Sequence, residues 1–136
     1  MNLTKFYLLA AWLLAAATAT AQLAVSVSPV KATGSKALVK LELQNKFTEK
    51  IESARAVVFL LDDRGKVVGQ ATRWVIGGTK DKPGLSPDAK TTFNFVVPTD
   101  KPFTKTRVTF NRLILTGGRT VDVTKNVQID EKSGDK

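Results

Sequence analysis

The residue types that most often carry out enzyme chemistry are missing from this chain, which contains no histidine and no cysteine. Without them the chain can build no imidazole base, no thiol nucleophile, no Cys/His zinc site and no disulfide. Carboxylates, hydroxyls and lysines are the side chains that remain for catalysis. We therefore predict a protein that is not an enzyme and that uses no cofactor or metal.

Two short clusters combine the remaining reactive side chains. Asp62 and Asp63 are adjacent carboxylates that could contribute to a calcium site, but the alternating acidic spacing of such loops is absent. Because Gly65 follows closely, the pattern instead predicts a turn. Ser35 and Lys36 could form a nucleophile and base pair, but no S-x-x-K pattern accompanies them. We expect both to be exposed to solvent.

Trp74 stands beside Arg73, and such a pair could recognise a partner through a large indole contact and a fork of donors. The alternative is structural: Trp74 and Ile76 face the core while Arg73 and Val75 face solvent. We predict the structural arrangement.

The chain is strongly basic, with 21 Lys and Arg against 12 Asp and Glu, a net charge of +9 and a pI near 10.0. This balance suits weak, salt-dependent attraction to anionic polymers, lipids or acidic partners. If the strands run up and down, loops at both ends of the domain carry more basic than acidic residues, which disfavours a dedicated nucleic-acid site. Our candidate contacts to an anionic partner are Lys80, Lys82, Lys101, Lys105 and Arg107.

The elements that must position these residues show the two-residue period of β-strands. Residues 39–44 alternate apolar and polar side chains, and turn residues follow at 62–65 and at 116–119. Gly69 indicates a bulge or bend, and residues 121–129 read as a last, interrupted strand. About seven strands without a convincing helix predict an all-β, immunoglobulin-like antiparallel β-sandwich.

Residues 1–21 have the organisation of a cleavable secretory signal peptide. Lys5 gives a positive start, residues 6–17 are apolar, and Ala19-Thr20-Ala21 forms a cleavage site. An uncleaved membrane anchor is the alternative, but the apolar run is shorter than a membrane-spanning helix requires. We expect residues 22–129 to form one domain without a transmembrane segment, and residues 130–136 to form a charged flexible tail. The mature chain would be periplasmic or extracellular.

Residues 58–69 combine an apolar strand end, an Asp-Asp-Arg-Gly turn and paired valines. This stretch resembles the FxLYD domain, a bacterial immunoglobulin-like β-sandwich family, and residues 43–45, residues 85–88 and Phe93 also agree with its pattern. Val58 stands where that family has Phe, Leu61 where it has Tyr, and Asp88 where it usually has Gly. The resemblance implies a sandwich fold and an envelope or extracellular setting, and it transfers no functional residue.

Together these observations predict an exported, non-enzymatic interaction or accessory module of the bacterial cell envelope. We expect it to bind a protein partner through loops or an edge strand. The alternative is a basic module that binds an anionic envelope polymer or a membrane surface, with nucleic acid an unfavoured ligand.

Overall fold

The computed structural model describes residues 22–28 and 30–131. The predicted signal peptide at residues 1–21 and the last five residues of the predicted tail, 132–136, lie outside the described residues. Nine strands, one short α-helix and one 3₁₀ turn form in the described part: β1 Leu23–Val27, β2 Lys31–Thr33, β3 Lys36–Asn45, β4 Ile51–Leu61, β5 Val67–Ile76, β6 Lys90–Pro98, β7 Lys105–Leu115, the 3₁₀ turn Thr116–Gly118, β8 Arg119–Thr120, α1 Val123–Asn126 and β9 Val127–Glu131.

The first sheet is built around β3. Its residues pair with β6 along one side, and with both β1 and β2 along the other, because β1 pairs with the second half of β3 and β2 with the first. The last strand, β9, adds to the far side of β1 and is parallel to it. All other strand pairs in both sheets are antiparallel. The spatial order is therefore β9, then β1 with β2, then β3, then β6.

The second sheet has the order β5, β4, β7, β8. Strand β4 lies between two neighbours, and its outward Val57 and Leu61 are buried as well as its inward side chains. Gly69 adjoins a register shift between β4 and β5, as predicted. Val97 of the first sheet and Leu60 of the second are both fully buried in the core between the sheets.

The fold class predicted from the sequence is confirmed: two antiparallel-rich sheets form a β-sandwich. The strand count is higher than the predicted seven because β2 and β8 are short additional strands. The predicted last strand over residues 121–129 is wrong in its first half, where Asp122 caps the helix α1. The strand β9 then continues to Glu131, two residues into the predicted tail.

The side of the sandwich between β5 and β6 is closed by the loop that joins these strands. Within this loop Lys82 Nζ donates a hydrogen bond to the Trp74 carbonyl at 2.8 Å, and the same ammonium lies 4.6 Å from the centroid of the Phe93 ring. At the other end of β5, a Cβ on Gly69 would come within 2.8 Å of the Pro98 carbonyl oxygen. The edges of β5 and β6 are thus held against each other.

Asn45, at the end of β3, fixes the last part of this closing loop. Its side chain is fully buried and donates hydrogen bonds of 2.9 Å to the carbonyls of Glu49 and Leu85. Its amide oxygen accepts from the Phe47 N–H at 2.8 Å, and its backbone N–H donates to the carbonyl of Ala89. One side chain therefore joins the turn after β3 to the loop before β6.

The substitution Asn45→Ala leaves three backbone groups without their partner, so we expect it to lower the free energy of unfolding by about 3 kcal/mol. Urea unfolding followed by circular dichroism measures the change. Asn94→Ala, which removes an exposed Asn from β6, is the control and should change stability by less than about 0.5 kcal/mol. Equal effects of the two variants would contradict the assigned role of Asn45.

Candidate functional site

The change of sheet by the last part of the chain leaves one edge of β7 open. Strand β8 pairs only with Ile114 and Leu115, and the Val121 N–H donates to the carbonyl of Leu113. The chain then crosses to the first sheet through residues 121–126, which we call the crossing segment. No strand among the described residues pairs with the outer edge of β7 over residues 105–111, which we call the free edge.

The free edge has two chemically different faces. Lys105, Arg107 and Thr109 point outward and are exposed. The residues between them face the core, because Thr106 pairs with Leu60 and Val108 with Val58 of β4, and both of these β4 residues are fully buried. A strand added to this edge would therefore meet Lys105 and Arg107 on one face, and Thr106 and Val108 on the other.

A cleft of 1160 Å³ lies beside the free edge, between the β2–β3 hairpin and the loop that joins β6 to β7. Its apolar wall is formed by Val27, Val30 and Phe103, all of which pack against the core. Its charged residues are of both signs: Lys36, Lys101, Lys105, Asp100 and Glu131.

The five basic residues predicted as contacts are divided between two sides of the molecule. Lys101, Lys105 and Arg107 lie at the open side, the first two lining the cleft and the last on the free edge. Lys80 and Lys82 belong to the loop between β5 and β6, on the opposite side of the second sheet. Lys82 is already occupied there by the Trp74 carbonyl and the Phe93 ring.

Sequence reasoning missed two features of the outer face of the second sheet. Arg55 of β4 lies with its guanidinium carbon 5.1 Å from the centroid of the Trp74 ring, and its Nε donates to Asn111 Oδ1 at 2.8 Å. Arg112 pairs with Arg55 across the strands. Strands β5 and β7 contain no acidic residue. This absence can be read from the sequence, but its meaning depends on knowing that both strands lie beside β4.

The predicted orientation of Trp74 and Val75 is wrong. Ala54 pairs with Ile76 and Arg55 with Trp74, so Val75 is the extra residue of a β-bulge. The bulge turns Val75 inward, where it is buried together with Ile76, and it leaves Trp74 half-buried on the outer face. Arg73 is exposed, as predicted, but the cation that stacks on the indole is Arg55.

The clusters considered for catalysis take structural positions. Asp62 Oδ1 accepts hydrogen bonds of 2.9 Å from the N–H groups of Arg64 and Lys66, which confirms the predicted turn. Ser35 and Lys36 are exposed at the start of β3.

Among the described residues, no group of three or more acidic side chains is placed to hold a metal ion. The same residues contain no helix with the length and hydropathy of a membrane span.

Comparison with known proteins supports the fold. A crystal structure of the Bordetella pertussis protein that carries the name ApaA matches with a TM-score of 0.55 and 16% identity, over 74% of this chain and 85% of that one. The structure of IrmA from Escherichia coli matches with a TM-score of 0.49 and 11% identity, over 85% and 94% of the two chains. No family model matches the chain, and the search of curated proteins finds no significant match. At such identities the likeness to the first structure concerns the fold alone.

The Trp74 indole packs directly against Gly78, which has a φ of 85° and where a Cβ would overlap the ring. We expect Gly78→Ala to lower the free energy of unfolding by about 3 kcal/mol through backbone strain and overpacking together. Gly34→Ala is the matched control, because Gly34 also has a positive φ but has no atom near its Cβ position. It should cost about 1 kcal/mol. Thermal unfolding with Trp74 fluorescence as the signal compares them, and an equal loss in both would exclude the ring contact as the cause.

The crossing segment contains a carboxylate whose ionisation supports its shape. Asp122 Oδ1 accepts hydrogen bonds from Thr124 Oγ1 at 2.6 Å and from the Thr124 N–H at 2.9 Å. These two bonds, with the charge of Lys125 adding to them, hold the pKa of Asp122 below its ordinary value. The cap is therefore fully present above the pKa of the unfolded chain, and it is lost as pH falls through the lower pKa of the folded protein.

We expect the wild type to be more stable than Asp122→Asn at neutral pH, and this advantage to shrink in acid as the carboxylate becomes protonated at its lowered pKa. Urea unfolding midpoints at a series of pH values measure the difference. Asp63→Asn makes the same change of charge at an exposed turn residue, and its midpoints serve as the control for the overall charge of the chain. A difference between wild type and Asp122→Asn that stays constant with pH would contradict the role of the carboxylate charge.

Proposed function

We propose that this protein is an exported, non-enzymatic β-sandwich module of the bacterial cell envelope, which binds a protein partner through the free edge of β7. Export rests on the signal-peptide pattern of residues 1–21. The non-enzymatic assignment rests on the absence of His and Cys from the whole sequence. The resemblance to FxLYD domains supports an envelope setting, and membership of that family is part of the proposal.

The observation that carries the binding role is the unpaired edge of β7. An edge strand presents a row of N–H and C=O groups that can pair with another chain, and natural proteins usually cover, shorten or charge such edges. The β5–β6 side of this sandwich is closed by a loop, whereas the β7 side adjoins a cleft with an apolar wall. Addition of a partner strand is a common way in which such an edge is used for recognition.

A second candidate function is binding to an anionic envelope polymer or a membrane surface. It is favoured by one specific observation, which is that β5 and β7 contain four basic residues and no acid. Such binding would weaken as salt is added, because exposed charges are screened over about 8–10 Å at physiological ionic strength.

Site-specific photocrosslinking in the native envelope fraction tests the first function. A photoreactive residue replaces Thr109, which is exposed on β7, or Gln70, which is exposed on the same face of the sheet but on β5. We expect one protein species to crosslink at position 109 and not at position 70. Crosslinks of equal yield at both positions, or to lipid and polymer only, would count against the edge as a partner site.

The second function is tested by retention on acidic liposomes and on an anionic resin at increasing salt. If an anionic surface is the ligand, neutralising Lys80, Lys82, Lys101, Lys105 and Arg107 together should lower the salt concentration needed for elution. Lys80 and Lys82 lie far from the free edge in the sheet order. A variant in which only Lys101, Lys105 and Arg107 are neutralised therefore shows which side of the molecule contributes to retention. Unchanged retention in both variants would rule these residues out as the contact surface.

A further inference from the structure

The chemistry of a strand that could pair with the free edge is restricted by the residues around that edge. Side chains of an added strand would alternate between the two faces of the sheet, as in any strand. Those on the outer face would lie beside Lys105 and Arg107, and those on the inner face beside Thr106 and Val108. The two faces therefore select different residue types.

The outer face is positively charged and has little internal compensation. Strands β5 and β7 contain no acidic residue, and the one acid of β4 is Glu52 at its beginning. Glu52 is occupied there, because its Oε2 accepts a hydrogen bond of 3.0 Å from the Gly117 N–H. Acidic side chains on the outer face of an added strand would be directly opposite Lys105 and Arg107, where opposite charges stabilise cross-strand pairs.

The inner face is apolar next to the edge. Val108 is almost completely buried on this face, and the cleft, which reaches the edge at Lys105 and Thr106, has an apolar wall of Val27, Val30 and Phe103. Burial of apolar side chains against this wall would gain about 25 cal/mol for each Å² that is removed from water. The charged residues of the cleft are of both signs, and Asp100 and Glu131 offset two of its three lysines, so this face attracts an acidic side chain less than the outer face does.

We infer that the ligand of this site is an extended segment of a partner protein in which acidic and apolar side chains alternate, added as a strand to the free edge of β7. This inference rests on the proposed function and names the chemistry of its partner. A second copy of the chain paired through the same edge would place Lys105 and Arg107 of one copy beside the same basic residues of the other. Like charges in such cross-strand pairs are destabilising. The other edge at the open side belongs to β9, whose last residues are Asp130 and Glu131, and it would repel an acidic strand.

The test uses the purified chain with residues 22–136 and capped nine-residue peptides of alternating Glu and Val. Fluorescence anisotropy should show binding with a Kd below about 1 mM at low salt, weakening as salt is added. Three matched peptides should bind at least about tenfold more weakly, since each removes one component of recognition. The first carries Lys in place of Glu and so reverses the charge. The second has the same residues in one Glu block and one Val block, which removes the alternation. The third has N-methyl groups on every internal amide, which removes the backbone donors.

Two charge-reversal variants locate the binding. Arg107→Glu should weaken binding of the Glu–Val peptide about tenfold. Arg73→Glu makes the same charge change at an exposed residue of β5, the strand at the opposite end of the sheet, and should leave binding within about twofold. Hydrogen exchange followed by NMR should show slower exchange of alternate amides within residues 105–111 when the peptide is bound. Circular dichroism confirms that both variants are folded.

Equal binding of the alternating, blocked and N-methylated acidic peptides would overturn the inference in favour of a general anionic ligand. Protection of β9 or β6 amides, or absence of binding at millimolar peptide, would overturn it as well. These failures are distinct from failure of the proposed function. A partner that crosslinks at position 109 although no acidic peptide binds would keep the edge as a site and reject only the alternating acidic chemistry.

Discussion

The change of sheet between β8 and β9 is the constraint on which the open side of this molecule depends. A hairpin with Gly117 and Gly118 at positive φ directs the chain back along β7, but the pairing ends after two residues. Asp122 then starts a helical turn, and its hydrogen bonds to Thr124 hold the backbone in a conformation that cannot continue a ladder. The remaining strand pairs with β1, so β7 keeps an unpaired edge and the cleft remains next to it.

The opposite side of the sandwich is closed without any disulfide, because polar contacts hold a long loop across it. Asn45 joins this loop to the end of β3 through a buried side chain, and Lys82 spans from the β5 backbone to an aromatic ring of β6. The two sides therefore differ in kind: one has its edges covered by a loop with specific contacts, and the other presents an edge, a basic face and an apolar wall. This asymmetry is why we propose β7, and not β5 or β6, as the partner-binding strand.

The sequence was sufficient for the fold class because alternation of apolar and polar residues reports directly on which face of a strand is buried. It was insufficient where one residue changes the register: the bulge at Val75 reverses the orientation predicted for Trp74. Pairing partners are a second limit. Arg55, Asn111 and Trp74 meet only because β4 lies between β5 and β7, and the strand order cannot be read from local periodicity. Backbone conformation within loops is a third limit. Asp88 has a φ of 67° in the loop that is hydrogen-bonded to Asn45, and no local pattern predicts it.

The parallel pairing of β1 with β9 has a mechanical consequence. Leu23 is paired with Val127 at one end of this ladder, and Val27 with Glu131 at the other. A force that pulls the chain before β1 away from the chain after β9 acts along the strands in opposite directions, and it loads the hydrogen bonds of the ladder in shear, all at once. An antiparallel terminal pair pulled in the same way would open one bond at a time from its end. A tether made from this domain would thus resist extension through the contact between its first and last strands, independently of what occupies β7.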